Sequence, residues 1–355
     1  MDSQDILNST ETYLQKCVSP YAEIIDSNSE ALEKAVAGLE DRSLLALRVP
    51  QKWGGAEIAP EIFHQYQELT ARYSGALSFL QTQHHSATAM LANSDNEMLK
   101  SRYLRAIAQK ELRLGIGFSH LRRSGNPAVT ATPTKAGYLL SGKVPWVTGF
   151  GLFQKFIVAA VLPDERAVFG LVPFANIERE YGKIAFSEIM QLIAMNSTNT
   201  VTATLDNWLL HESEIISVKP VGWISENDSK NILNFVPATF GCIRAGLDVI
   251  AAAAAAAKNS PFIATACQKL EQKLDRLKQN FPQSQHSSKA EQLALRAQAI
   301  DLAVRCGHAA VAVSSGAANG IVHPAGRVYR EALVYTVSGQ TKDVMAATLD
   351  RLIEF

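Results

Sequence analysis

Two short clusters hold most of the residues that could do chemistry. Gly115-Ile116-Gly117 runs into Phe118-Ser119-His120-Leu121-Arg122-Arg123-Ser124-Gly125, a mixture of glycines, hydroxyls and guanidinium groups able to surround a phosphate. The run completes neither a G-x-x-x-x-G-K-[ST] loop nor a G-x-S-x-G nucleophile turn, because Leu121 stands where the second motif needs its last glycine. Nucleotide hydrolysis on a phosphate loop and serine hydrolysis are therefore poorly served. Further on, Gly142-Lys143-Val144-Pro145-Trp146-Val147-Thr148-Gly149 puts an indole two residues from a hydroxyl on a short strand, so that both side chains should point to one face. A ring surface beside a hydrogen-bonding hydroxyl suits a planar heteroaromatic cofactor, and it equally suits a tryptophan buried in an ordinary β-core. His84 and His85 fall on a helical pattern, where adjacent side chains diverge by about 100° and cannot share a metal ion unaided. Either one could still present an imidazole to a site.

The chain that must position these groups has 355 residues, 47% of them hydrophobic and 19% charged, a globular composition with room for more than one core. Lys plus Arg and Asp plus Glu both number 34. That balance provides no overall field to draw in nucleic acid or an anionic lipid surface. Cys17, Cys242, Cys267 and Cys306 are far apart and form no C-x-x-C, so neither a zinc site nor a disulfide framework is indicated and a reducing, cytoplasmic location is expected. The N-terminus lacks a basic region followed by an apolar run, and the longest apolar stretch, Ala251 to Ala257, is too short to span a membrane.

Periodicity changes along the chain. Apolar residues recur at three and four from Asp5 to Gly38, with Pro20 interrupting, and again over Pro60–Tyr73, Ala76–Ala92 and Glu97–Lys110, which predicts helices. Period two and short β-rich runs follow at Leu114–Phe118, Val129–Thr134, Tyr138–Val144, Phe156–Leu162, Val168–Pro173 and Thr200–Leu205. Helical periodicity returns near Lys230 and includes Phe240–Lys258, Ala264–Phe281, Ala290–Ala312 and Lys342–Phe355. The expected organisation is a helical domain over 1–112, a middle β domain over 113–220 and a helical block over 221–355, an α+β order. It disfavours the strand–helix alternation of Rossmann and barrel enzymes.

Taken together these segments resemble the acyl-CoA dehydrogenase superfamily over nearly the whole chain. Pro50-Gln51-Lys52-Trp53-Gly54-Gly55 is similar to its early P-x-x-x-G-G segment, and Gly142-Lys143 through Trp146-Val147-Thr148 to its G-x-K-x-W-I-T stretch. Ser315-Gly316, Pro324, Arg327, Arg330-Glu331 and Thr341 fall without gaps on its G-G, P-x-x-R-x-x-R-D and E-G-T segments. The resemblance implies a middle β-barrel-like domain, a C-terminal four-helix bundle and a homodimer or homotetramer. It also implies a flavin, FAD or FMN, held by Ser119, Ser124, Trp146, Thr148, Gly316 and Thr341. Oxidation of an acyl-CoA thioester, with an electron-transfer or reductase partner, is the activity it suggests.

Departures from the pattern open other readings. The loop that binds FAD phosphates in the family is shorter here, over Phe118–Gly125, and the segment expected to carry an arginine to a neighbouring subunit's cofactor reads Lys258-Asn259-Ser260-Pro261-Phe262. Gly339 falls on the position of the glutamate base, after Ser338, and the alternative base position falls near Val236-Pro237. Gly339→Glu would restore the missing carboxylate. Without it, the chain is also similar to the superfamily's flavin monooxygenases, in which His84 or His85, Ser119 and Thr148 would line the oxygen-reactive face. A flavin-free binding or scaffold protein is the third reading.

Overall fold

The computed structural model describes residues 3–180, 182–257 and 260–354. Lys258 and Asn259, in the segment expected to face a neighbouring subunit, and Phe355, the expected end of the last helix, lie outside the described residues. The N-terminal helices are α1 (Ser3–Tyr13), α2 (Ala22–Ser27), α3 (Ser29–Asp41), α4 (Pro60–Tyr73), α5 (Gly75–Ala92) and α6 (Glu97–Ala108). Between α1 and α2 the chain tightens at Pro20 into a short 3-10 turn, as expected of a residue with a fixed φ and no N–H to donate. Asn28, Ser74 and Asn96 cap α3, α5 and α6 by accepting from the amides of Ala31, Leu77 and Leu99.

The middle region forms one sheet of nine strands: β1 (Leu114–Gly117), β2 (Val129–Thr134), β3 (Gly137–Val147), β4 (Lys155–Val161), β5 (Ala167–Pro173), β6 (Ile177–Arg179), β7 (Gly182–Phe186), β8 (Val201–His211) and β9 (Ile215–Lys219). Their order is β6-β7-β8-β3-β2-β4-β5-β9, with β1 parallel to β4. After Lys155, β4 is apolar because both its faces are covered: Phe156, Val158 and Ala160 join one core, Ile157 and Ala159 another. The first core runs on into the helices at both ends of the chain. The second is closed by α5, α6 and Trp223.

One irregularity bears directly on the site. β3 pairs Val144 with Ala203 and Val147 with Val201 on β8, so three steps along β3 match two along β8. The extra residue makes a β-bulge across Pro145 and Trp146. Pro145 lacks an N–H for the ladder, and its carbonyl oxygen instead accepts the Thr202 hydroxyl at 3.0 Å.

The C-terminal helices are α7 (Trp223–Lys230), α8 (Val236–Ala256), α9 (Pro261–Ser284), α10 (Lys289–Ser314), α11 (Pro324–Val337) and α12 (Lys342–Ile353). Helical structure thus begins ahead of Lys230, and α11 lies within the stretch read only for its motifs. α8 also corrects the expectation that no segment is long and apolar enough to cross a membrane, since it has 21 residues and a mean hydropathy of 1.4, with 56% of its most apolar window buried. Its charges have partners within the fold: Asp248 takes a bidentate pair from Arg72 on α4, and Arg244 pairs with Glu271 on α9. These are the contacts of a core helix.

Candidate functional site

The end of β3 sets the first wall of the site. Trp146 is 47% exposed, whereas Thr148, 7% exposed, shares a 3.0 Å hydrogen bond with the Thr200 hydroxyl. The bulge lets Val144 and Val147, three positions apart, both point into the core with the indole exposed between them, and Thr148 lies buried just past the end of the strand. Trp146 keeps an accessible ring face for stacking. Thr148 and Thr200 share that bond, and either hydroxyl can be its donor.

The loop after β1 lies against β3 and against α7. Ser119 and Ser124 are both exposed on it, and Gly125, at φ +97, has no heavy atom within 4 Å of where a Cβ would stand. Arg122 is committed elsewhere. Its guanidinium makes two 2.7 Å bonds to the carboxylate of Asp228 on α7, a bidentate pair that ties the loop to the start of the C-terminal block. Arg123 is exposed.

Asp228 and Arg122 in turn set the field at Arg296, a buried arginine on α10. Burial pulls its pKa down to about 10, with the Asp228 charge opposing that shift and the Arg122 charge adding to it. The Arg296 guanidinium donates to the carbonyl oxygens of Ile232 at 2.7 Å, Ser338 at 2.6 Å and Gly339 at 3.2 Å, and it stands 5.9 Å from the centre of the Phe235 ring. Gly339 has φ +57, and a Cβ added to it would meet Phe235 Cε2 at 2.5 Å. The position aligned with the glutamate base is therefore a strained turn against an aromatic ring, gripped from inside by an arginine. Val236 and Pro237, at the alternative base position, are buried in the first turn of α8.

The other candidates have separate places. His84 is fully buried; its Nδ1 accepts the Leu114 N–H at 3.0 Å, which leaves Nε2–H to donate to the Leu45 carbonyl oxygen at 3.0 Å. Burial holds its pKa down to about 4. It is thus a neutral link between β1, α5 and the segment after α3, with no nitrogen left for a ligand, which corrects its expected place on an oxygen-reactive face. His85 is 2% exposed and packs edge-on against Phe63 at 5.1 Å and Tyr66 at 5.7 Å. The buried Tyr66 hydroxyl beside it has no hydrogen-bond partner among the described residues. Thr341 caps α12 by accepting the Val344 N–H at 3.2 Å. Gly316 lies in an exposed turn after α10 with open space around it.

Loop 118–125, the segment before α8 and the turn at 338–341 thus form one neighbourhood joined through Arg122, Asp228 and Arg296. Asp228, Phe235 and Arg296 were not singled out from sequence. Arg296 had a usable signal, since it is a lone charge among Leu295, Ala299 and Ile300 on the apolar face of a helix. Nothing local marks the other two. Among the described residues, no group of three or more His, Cys, Asp or Glu could hold a metal ion.

Comparison with known proteins agrees with this architecture. Residues 1–111 match the N-terminal domain of acyl-CoA dehydrogenases. A 3-(aryl)acrylate reductase of Clostridium sporogenes is 20% identical over 219 residues, 60% of this chain and 57% of that protein; the chain spans roughly half the length of the curated relatives it matches. The butyryl-CoA dehydrogenase of Megasphaera elsdenii superposes over 100% of both chains with a TM-score of 0.81 at 14% identity. FMN-bound TdsC of Paenibacillus sp. A11-2 covers 99% of this chain and 97% of its own, with a TM-score of 0.79 at 14% identity. Residues 1–111 thus resemble the N-terminal domain of acyl-CoA dehydrogenases, and the whole backbone follows the fold of the butyryl-CoA dehydrogenase.

Proposed function

We propose that the protein is a flavin-dependent oxidoreductase whose reaction uses no carboxylate base from the turn before α12. The observation that carries this reading is Gly339 at φ +57 with the Phe235 ring in the space of its missing Cβ. A carboxylate acting as general base contributes about 10²–10⁴ in rate, and neither Gly339 nor Val236-Pro237 can supply one. That argues against ordinary α,β-dehydrogenation of an acyl-CoA and in favour of the oxygen-using branch of the fold, the branch to which flavin monooxygenases belong.

The residues present fit a flavin in part. A flavin supplies two-electron redox chemistry when bound. Trp146 offers its exposed ring face, and Ser119, Ser124 and the open backbone at Gly125 offer a place for a phosphate. Thr341 accepts the Val344 N–H and keeps its O–H free to donate, and Thr148 shares its hydroxyl with Thr200, where either can be the donor. The substrate in this reading is a small organic molecule, with acyl-CoA thioesters as the comparison class. A homodimer or homotetramer and a partner reductase complete it.

A second reading is favoured by the Arg122–Asp228 pair. That pair takes up one of the loop's two guanidinium groups, as a flavin-free descendant of the fold would allow. The visible spectrum of the purified protein, identification of any flavin released by heat, and titration of FAD and FMN separate the two. Flavin bands or tight binding support the oxidoreductase, and FMN over FAD supports the monooxygenase. A colourless protein that binds neither overturns the first reading in favour of the second.

A further inference from the structure

Away from the site just described, a cleft of about 460 Å³ opens between the segment after α3 and the end of α5, lined by Arg48, Pro50, Lys52, Glu57, Ala89, Ala92 and Asn93. Its volume is that of a small-molecule site. Its charges do not cancel. Arg48 is half-buried, its guanidinium 4.9 Å from the centre of the Phe63 ring, and it forms no ion pair or hydrogen bond with any described residue. Lys52 stands 5.2 Å from the Trp53 ring centre and likewise has no carboxylate within ion-pair distance. Glu57 is the one acid in the lining, and it accepts the Gln51 N–H at 3.0 Å. The other titratable groups that feel Arg48 are His64 and His85, both held neutral by burial. Two cations against one carboxylate leave the cleft positive.

A guanidinium drawn out of water without a counter-charge is a cost that a bound anion removes. Arginine presents a planar donor fork that matches a carboxylate or a phosphate, and lysine adds a second point charge. Pro50, Ala89 and Ala92 give the same cleft an apolar floor. We propose that this cleft binds a small organic acid, whose oxyanion meets Arg48 and Lys52 while its apolar body lies on the proline and the alanines. The inference is independent of flavin binding, because none of the lining residues belongs to the Arg122–Asp228–Arg296 neighbourhood.

Calorimetric titration of the full chain with benzoate, phenyl phosphate and benzyl alcohol tests it, since the three probes share a ring and differ in charge. The expected result is binding of at least one anion, none of the alcohol, and weakening by about tenfold or more in Arg48→Gln, the loss of one charge-assisted contact. Lys52→Gln, at an exposed position that leaves the fold alone, is expected to weaken it about threefold. Preference for benzoate or phenyl phosphate then assigns the carboxylate or the phosphate as the natural oxyanion. The proposal is overturned if neither anion binds up to about 10 mM, a Kd weaker than about −3 kcal/mol, if benzyl alcohol binds as well as they do, or if a folded Arg48→Gln or the Lys52→Gln protein binds as tightly as the wild type.

Discussion

Arg296 holds the Ser338 carbonyl oxygen at 2.6 Å from a buried position on α10, so the turn that would carry a catalytic carboxylate in the dehydrogenases is fastened by a cation instead. The same guanidinium reaches Gly339 and Ile232, and so joins the segment before α8 to the turn before α12. Replacing it with methionine would keep much of the volume and leave three carbonyl oxygens short of a donor. We expect a loss of about 2–4 kcal/mol in unfolding free energy, from charge-assisted hydrogen bonds of about 1.5–3 kcal/mol each offset by the regained solvation of the arginine. Urea denaturation reads this directly, and an unchanged midpoint would mean the contacts contribute nothing.

Gly339→Glu, which looks from sequence like a restoration, should act as a disruption. A left-handed backbone occupied by a residue with a Cβ costs about 1–3 kcal/mol, and Phe235 adds a collision. The single variant should be destabilised and should not bleach flavin when acyl-CoA is added. Phe235→Ala combined with Gly339→Glu removes the collision, and stability above that of Gly339→Glu alone is the expected outcome. A Gly339→Glu protein as stable as the wild type would show that the turn is free to rearrange.

Acid should weaken the fold over a defined window. His84 and His120 are each held at about 4 by burial, against 6.5 for an exposed imidazole, and burial with the neighbouring His84 pushes His85 well below its ordinary value too. The folded state therefore resists a proton that the unfolded chain accepts. Stability is complete above about pH 6.5 and falls as the pH drops from there to about 4, by up to about 3 kcal/mol for His84 alone. Below pH 4 its contribution is flat. Denaturation midpoints at pH 7, 5.5 and 4.5 should descend in that order, and His84→Gln should flatten the descent while costing stability at pH 7.

Asp228→Asn frees the Arg122 guanidinium without removing it. If flavin phosphate sits at the loop over 118–125, affinity for FMN or FAD should rise by about tenfold, the value of one released charge-assisted contact. Equal affinities for the two proteins would place Arg122 out of reach of the cofactor. Trp146→Ala makes the complementary test, because an exposed side chain should shift stability by no more than about 0.5 kcal/mol while the loss of its ring weakens flavin binding by tenfold or more. A stable Trp146→Ala protein with undiminished flavin affinity would remove Trp146 from the site.

The order of helices, strands and helices was legible because each block keeps one period over many residues: the run from Phe156 to Val161 could only be a covered strand, and the capped, amphipathic segments could only be helices. The motif residues were legible as residues but not as geometry. Trp146 and Thr148 read as neighbours on a face, yet the bulge beside Trp146 and the Thr200 hydroxyl against Thr148 come from β8 and the turn before it, some 55 residues later in the chain. His84 read as a reactive imidazole because nothing in its own segment shows that Leu45 and Leu114 will take both nitrogens. Asp228 and Phe235 gain meaning only from residues more than 60 positions away.

The extra residue in β3 also bears on everything downstream on that strand. With Pro145 deleted, Val144, Trp146 and Val147 would oppose Ala203, Thr202 and Val201 one for one, so Trp146 would stay outside between two inward valines and the strand would lose the Pro145 carbonyl oxygen that accepts the Thr202 hydroxyl. The extra residue thus works as slack: it lets two valines three positions apart both face the core and leaves the turn at Gly149 in its place against Thr198 with one residue to spare.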